Sequence, residues 1–226
     1  METEFELIQH IKEKDLSRTK YGDSIYSDTF YCDNKNKICI SFTPRSGCSI
    51  SFQQYLDLVG LLKDGLDYNP FIHVYRVNIF NKNVPQNDIA YCIENNFTFI
   101  KFIMNLYIRA VSIYRAQESH NLSFRDYLKQ LVNNELDYFS NNDKYHYKQQ
   151  YIDEEEKIIT KYIKIDKNET YEIELSHGTM YNLDVNKYTS VHHGKKIDNV
   201  EFCGDLQRNT VNKILPKSYK YFTMKK

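Results

Sequence analysis

An α/β fold built on a central, mainly parallel sheet flanked by helices is predicted by two strand–loop–helix passages. The first covers residues 38–63: an apolar run Ile38-Cys39-Ile40-Ser41-Phe42, a turn of small and hydroxyl residues around Arg45, and a helical period from about residue 51. The second, residues 97–117, is an apolar run of the kind a buried parallel strand shows, continuing as a helix from Tyr107. Repetition of this unit predicts a ligand site at the carboxyl ends of neighbouring strands.

Each element has its own signal. Thr3 and Glu6 stand at capping-box spacing and predict a helix through about Lys14. A polar loop is expected through Asp28, then a strand at 29–32, a turn through Asp33-Asn34-Lys35-Asn36, and the strand 38–42. Phe52, Tyr55, Leu56, Val59 and Leu62 recur at helical spacing and predict a helix to Lys63, ended by Gly65. Asn69-Pro70 breaks the chain before the run 71–77, and residues 84–88 read as a surface loop. Ser123 and Asp126 cap a further helix, residues 157–165 form a late strand, and residues 205–216 form an amphipathic helix stopped by Pro216.

With 226 residues, 41% hydrophobic and 27% charged, one globular domain over 1–226 is expected. Thirty Lys and Arg balance thirty Asp and Glu, so no bulk charge draws the chain to nucleic acid or an anionic membrane. No run has the length of a membrane span, and the acidic start lacks the pattern of a signal peptide; a cytoplasmic or otherwise intracellular protein is expected. Five cysteines are scattered without a CxxC pair, and the adjacent His192 and His193 have no third ligand at a set spacing. No metal is expected.

A helix entered through Ser46-Gly47-Cys48-Ser49 directs free backbone N–H groups, the positive end of its dipole and two hydroxyls at one spot, with Arg45 beside it. This is an anion cradle. The phosphate loop of nucleotide hydrolases and kinases ends in Gly-Lys-Ser/Thr, which this chain lacks, so a P-loop kinase is disfavoured. Pro44, Arg45, Ser46, Gly47, Cys48 and Ser49 instead resemble, in order, the 5′-phosphosulfate loop of the sulfotransferases.

In that family a second loop holds the donor's 3′-phosphate, and Asn105, Tyr107, Arg109, Ser112 and Tyr114 fall on its pattern without a gap. Met104 stands where the family has Arg, and Leu106 where it has Pro. Arg109, one turn before Ser112 on the same helical face, is the expected replacement for the missing phosphate cation. Residues 123–131 resemble the family helix that follows. Residues 143–150, with His146 and Gln150, look like its His-x-x-x-Gln segment, and residues 191–196 its basic loop near the donor.

The resemblance implies a P-loop-like three-layer fold, with residues 1–28 leading in, 38–63 as the phosphosulfate unit, 97–118 as the 3′-phosphate unit and 119–226 completing the domain. It also implies transfer of a sulfuryl group from 3′-phosphoadenosine 5′-phosphosulfate (PAPS), without a metal, to a hydroxyl or amine acceptor, commonly a glycan. Arg45 and residues 46–49 would hold the 5′-phosphosulfate, and Arg109 and Ser112 the 3′-phosphate. His73 is the general base expected from the interval between the two loops, with Glu94 and His146 as other candidates. Met104 also leaves open a catalytically silent nucleotide- or glycan-binding descendant.

Overall fold

The computed structural model describes residues 3–21, 28–116, 123–127, 155–165, 170–174, 178, 180–184 and 187–188. Helix α1, Glu4–Lys12, begins at the predicted capping box: the Glu6 N–H donates to Thr3 Oγ1, and the Glu6 carboxylate accepts from the Thr3 N–H. Its i, i+4 pair Leu7 and Ile11 is buried. Strands β1 (Leu16–Lys20), β2 (Thr29–Asp33) and β3 (Ile38–Phe42) follow as an antiparallel meander.

Strand β1 lies in the stretch predicted to be a polar loop. Leu-Ser-Arg-Thr-Lys carries one apolar residue and no alternation, so no sequence signal marks it. It is held as an edge strand. The Ser17 hydroxyl donates to Asn34 Oδ1 at 2.8 Å, and the 84–87 loop covers its outer side through the Arg18 N–H to the Pro85 carbonyl and the Asn87 N–H to the Arg18 carbonyl, both 2.8 Å.

Helix α2 runs Cys48–Leu58, starting earlier and stopping sooner than its apolar period predicts. Gly60, at φ +73°, turns the chain out of it, and a separate helix α3, Leu62–Tyr68, follows. Gly65 therefore does not end a helix. It lies inside α3, where an added Cβ would come within 2.7 Å of Ile72 and 2.9 Å of Leu56. Helix α4 (Ile72–Tyr75) passes into a π turn, Arg76–Phe80, and then into α5 (Asn81–Asn83). Asp88 caps α6 (Ile89–Glu94), its carboxylate accepting from the Ala90 N–H.

Strand β4 (Thr98–Ile103) leads into α7 (Leu106–Ala116). The late strand is shorter than expected: a 3₁₀ turn at Glu155–Lys157 precedes β5, Lys161–Lys164, and an antiparallel pair of β6 (Thr170–Glu174) and β7 (Met180–Asp184) forms a second sheet that packs Ile173 and Leu183 into the main core. Ser123 caps as predicted, accepting from the Asp126 N–H at 3.1 Å. Residues 143–150, 191–196 and 205–216 lie outside the described residues.

Among the described residues the main sheet has five strands in the order β1-β2-β3-β4-β5. Only β2 runs opposite to the others. The α/β expectation and the parallel pairing of the two passages are met: Ile38 to Phe42 lie beside Thr98 to Phe102 in parallel register.

The sheet buries both faces. On one, Tyr31, Ile40, Phe42, Ile100 and Phe102 pack with Phe52, Tyr55 and Leu56 of α2 and with α1 and α4. On the other, Phe30, Cys32, Cys39 and Phe99 meet Cys92 of α6 and Phe97. Burial on both sides is why β3 and β4 read as apolar runs.

Candidate functional site

The loop from Thr43 to Gly47 leaves the carboxyl end of β3. The Ser46 N–H closes it on the Thr43 carbonyl at 3.0 Å, with Arg45 at φ +63° and Gly47 at φ +74°. Left-handed backbone at Arg45, a residue with a Cβ, is a strained choice that its surroundings must hold in place. Gly47 is the N-cap of α2 and supplies no side-chain hydrogen bond, and no acidic residue stands in the first turn. Unlike α1 and α6, α2 thus begins without a side-chain acceptor of its own.

His73, on α4, reaches this helix end. Its Nε2 lies 3.0 Å from Ser49 Oγ and 3.2 Å from Cys48 Sγ. The ring meets Phe71 edge to face at 5.0 Å, which fixes its plane. His73, Arg45, Cys48 and Arg76 line a cavity of about 360 Å³ together with Phe42 and Phe71. The Arg76 guanidinium sits over the Phe42 and Phe52 rings, 5.3 and 5.8 Å from their centroids. Two guanidinium groups, a helix N-terminus and an imidazole therefore share one concave space.

Beneath the loop is a buried charge cluster. Lys101, inside β4, pairs with Asp28 at 2.9 Å and with Glu155, and all three are essentially inaccessible to solvent. Thr43 Oγ1 donates to Asp28 Oδ2 at 2.8 Å, so the cluster anchors the first residue of the Thr43–Gly47 loop. The Asp28 N–H donates to Glu155 Oε1. Burial works against the Lys101 ammonium, but the two carboxylates outweigh it and raise its pKa. Burial also raises the Glu155 carboxyl, despite Lys101 beside it.

Of the residues expected to bind the donor, Arg45, Ser46, Gly47, Cys48 and Ser49 occupy this one loop and helix end, with Ser46 and Ser49 buried. His73 joins them. Arg109 is placed differently from expectation. It is fully buried, and its Nε and Nη2 donate to the Pro44 carbonyl at 3.3 Å each, so its guanidinium braces the loop from below. Burial pulls its pKa down to about 10, with Asp28 opposing. Ser112 is half-buried on α7, and Glu94 is exposed at the end of α6, outside the cavity lining. His146 lies outside the described residues.

Helical spacing correctly puts Arg109 and Ser112 on one face but does not say whether that face turns to solvent or to the loop. Contacts that no spacing announces are the Cys48–His73 pair, Arg76 in the cavity wall, and the partnership of Asp28, Lys101 and Glu155. Comparison with protein-family models, with curated proteins and with solved structures finds no match.

Proposed function

We propose that this protein transfers a sulfuryl group from PAPS to a hydroxyl or amine acceptor, with a carbohydrate as the favoured acceptor class. The observation that carries the reading is His73 Nε2 against Ser49 at the open N-terminus of α2, in a cavity walled by Arg45 and Arg76. The parallel neighbours β3 and β4 also bring the two loops side by side: Arg109 of the second passage touches Pro44 of the first. A donor with phosphate at both ends of its ribose requires that adjacency.

In this reading the backbone N–H groups of α2 and the Arg45 guanidinium hold the 5′-phosphosulfate and neutralise the bridging oxygen as it leaves. His73 Nε2 accepts the proton of the acceptor hydroxyl. A bond forms from acceptor oxygen to sulfur, the bond from sulfur to the bridging oxygen breaks, and adenosine 3′,5′-bisphosphate departs. The buried position of Arg109 leaves Ser112, half-buried on α7, as the residue expected to meet the 3′-phosphate.

Calorimetry with adenosine 3′,5′-bisphosphate tests the reading, and no measurable binding sinks it. Given binding, Arg45→Ala is expected to weaken the bisphosphate and adenosine 5′-phosphate alike. Arg109→Ala does the same if it braces the loop, and a loss confined to the bisphosphate restores it as a 3′-phosphate ligand. His73→Ala is expected to retain donor binding and lose turnover by roughly 10²- to 10⁴-fold, the usual range for a general base. Donor binding without turnover on any hydroxyl or amine acceptor favours a silent descendant, the reading Met104 motivates.

A further inference from the structure

On the face of the sheet away from α2, three cysteines distant in sequence converge. Cys32 of β2 and Cys39 of β3 are directly opposed across the antiparallel pair. Cys92 of α6 closes over them. All three are fully buried, and their sulfur atoms lie within 4.8 Å of one another. Phe30, Phe97 and Phe99 complete the surrounding wall.

We propose that Cys32, Cys39 and Cys92 form a three-sulfur site for one soft monovalent cation of the copper(I) class. Three sulfurs arranged around such an ion at bond lengths of about 2.3 Å stand about 4 Å apart, so the observed cluster needs only a small contraction. Softness selects the metal class: sulfur ligands favour copper(I), zinc and iron–sulfur centres over harder ions. Coordination number separates these. Structural zinc takes four ligands, and among the described residues no further Cys, His or carboxylate joins the cluster.

Binding is ligand exchange without electron transfer: copper(I) arrives as a soluble thiol or nitrile complex, its carrier ligand leaves, and each cluster thiol that binds the ion gives its proton to solvent.

The test uses the full chain carrying Cys48→Ser and Cys203→Ser, so that only the cluster thiols remain. It is titrated anaerobically with copper(I) against a chromogenic copper(I) chelator, and its X-ray absorption is recorded. One equivalent retained against the chelator, with three sulfur neighbours at the metal, is the expected result. Cys92→Ser in the same background is expected to weaken retention by at least the roughly hundredfold that loss of a mere supporting partner can cost. No retention, fewer than three sulfurs, or unchanged retention in Cys92→Ser overturns the site and leaves the cysteines as core packing. Tighter retention of zinc(II) than of copper(I) overturns the monovalent assignment. If Cys92→Ser does not fold, the sulfur count in the parent protein decides alone.

Discussion

Lys101→Met is expected to destabilise the protein by about 3–5 kcal/mol at neutral pH, the range for removing one partner of a buried ion pair. Methionine matches the apolar stem of lysine but removes the buried ammonium that pairs with both Asp28 and Glu155. The direction of pH dependence checks the cause. In the wild type the raised Lys101 pKa gives stability that is full below its ordinary value of 10.5 and is lost as pH rises through the folded value. Glu155, also raised, favours its protonated form in the fold, so its own contribution improves as pH falls through its folded value toward the ordinary 4.5. Without Lys101 the Glu155 carboxyl is driven further up, and the variant's deficit is expected to shrink between pH 7 and about pH 4.5. Urea unfolding of both proteins at the two pH values measures this. A deficit below about 1 kcal/mol, or one that does not change with pH, refutes the buried-charge account.

Gly47→Ala is the second large effect. Left-handed backbone costs an alanine roughly 1–2 kcal/mol, and the new Cβ would fall 1.7 Å from Ile165 Cδ1, so that side chain must also move. We expect a lower melting temperature and loss of anion binding, because Gly47 sets the angle at which α2 presents its first N–H groups. Ile165→Val removes the overlapping methyl but not the strain. Combined with Gly47→Ala it is expected to give a double variant more stable than the sum of the two single losses, with anion binding still absent. Thermal melts and calorimetry read both effects. Additive losses would mean that Ile165 does not contact the loop, and intact anion binding in Gly47→Ala would refute its role.

Sequence patterning reaches as far as local chemistry does. The parallel strands β3 and β4 are legible because double burial makes them continuous apolar runs, and the tight Thr43–Gly47 loop because small residues and one Arg interrupt such a run. Strand β1 is illegible because its place at the sheet edge comes from the 84–87 loop and Asn34, not from its own side chains. Gly65 looks like a stop, yet its missing side chain is used for close packing of α3 on α2 and α4. The charge cluster is hidden for another reason: Asp28 and Glu155 are 127 residues apart, and nothing in either neighbourhood names the other as a partner. The three cysteines have no metal-site spacing and meet only because two strands and α6 fold onto one face.

The order of strands in the sheet also dictates an order in time. Helix α1, the β1–β3 meander and α2 lie within residues 4–58, whereas β4 and β5 pair with strands far back in the sequence, Thr98 with Ile38 and Lys161 with Ile100. Bringing such distant segments together carries an entropy cost that the meander does not face. Pulse-labelled hydrogen exchange during refolding is expected to protect amides of β2 and β3 before those of β4 and β5, and simultaneous protection would contradict this. On that order Asp28 is expected to gain Lys101 and Glu155 late, and the Thr43–Gly47 loop, tied through Thr43 to that carboxylate, to reach its final shape only then.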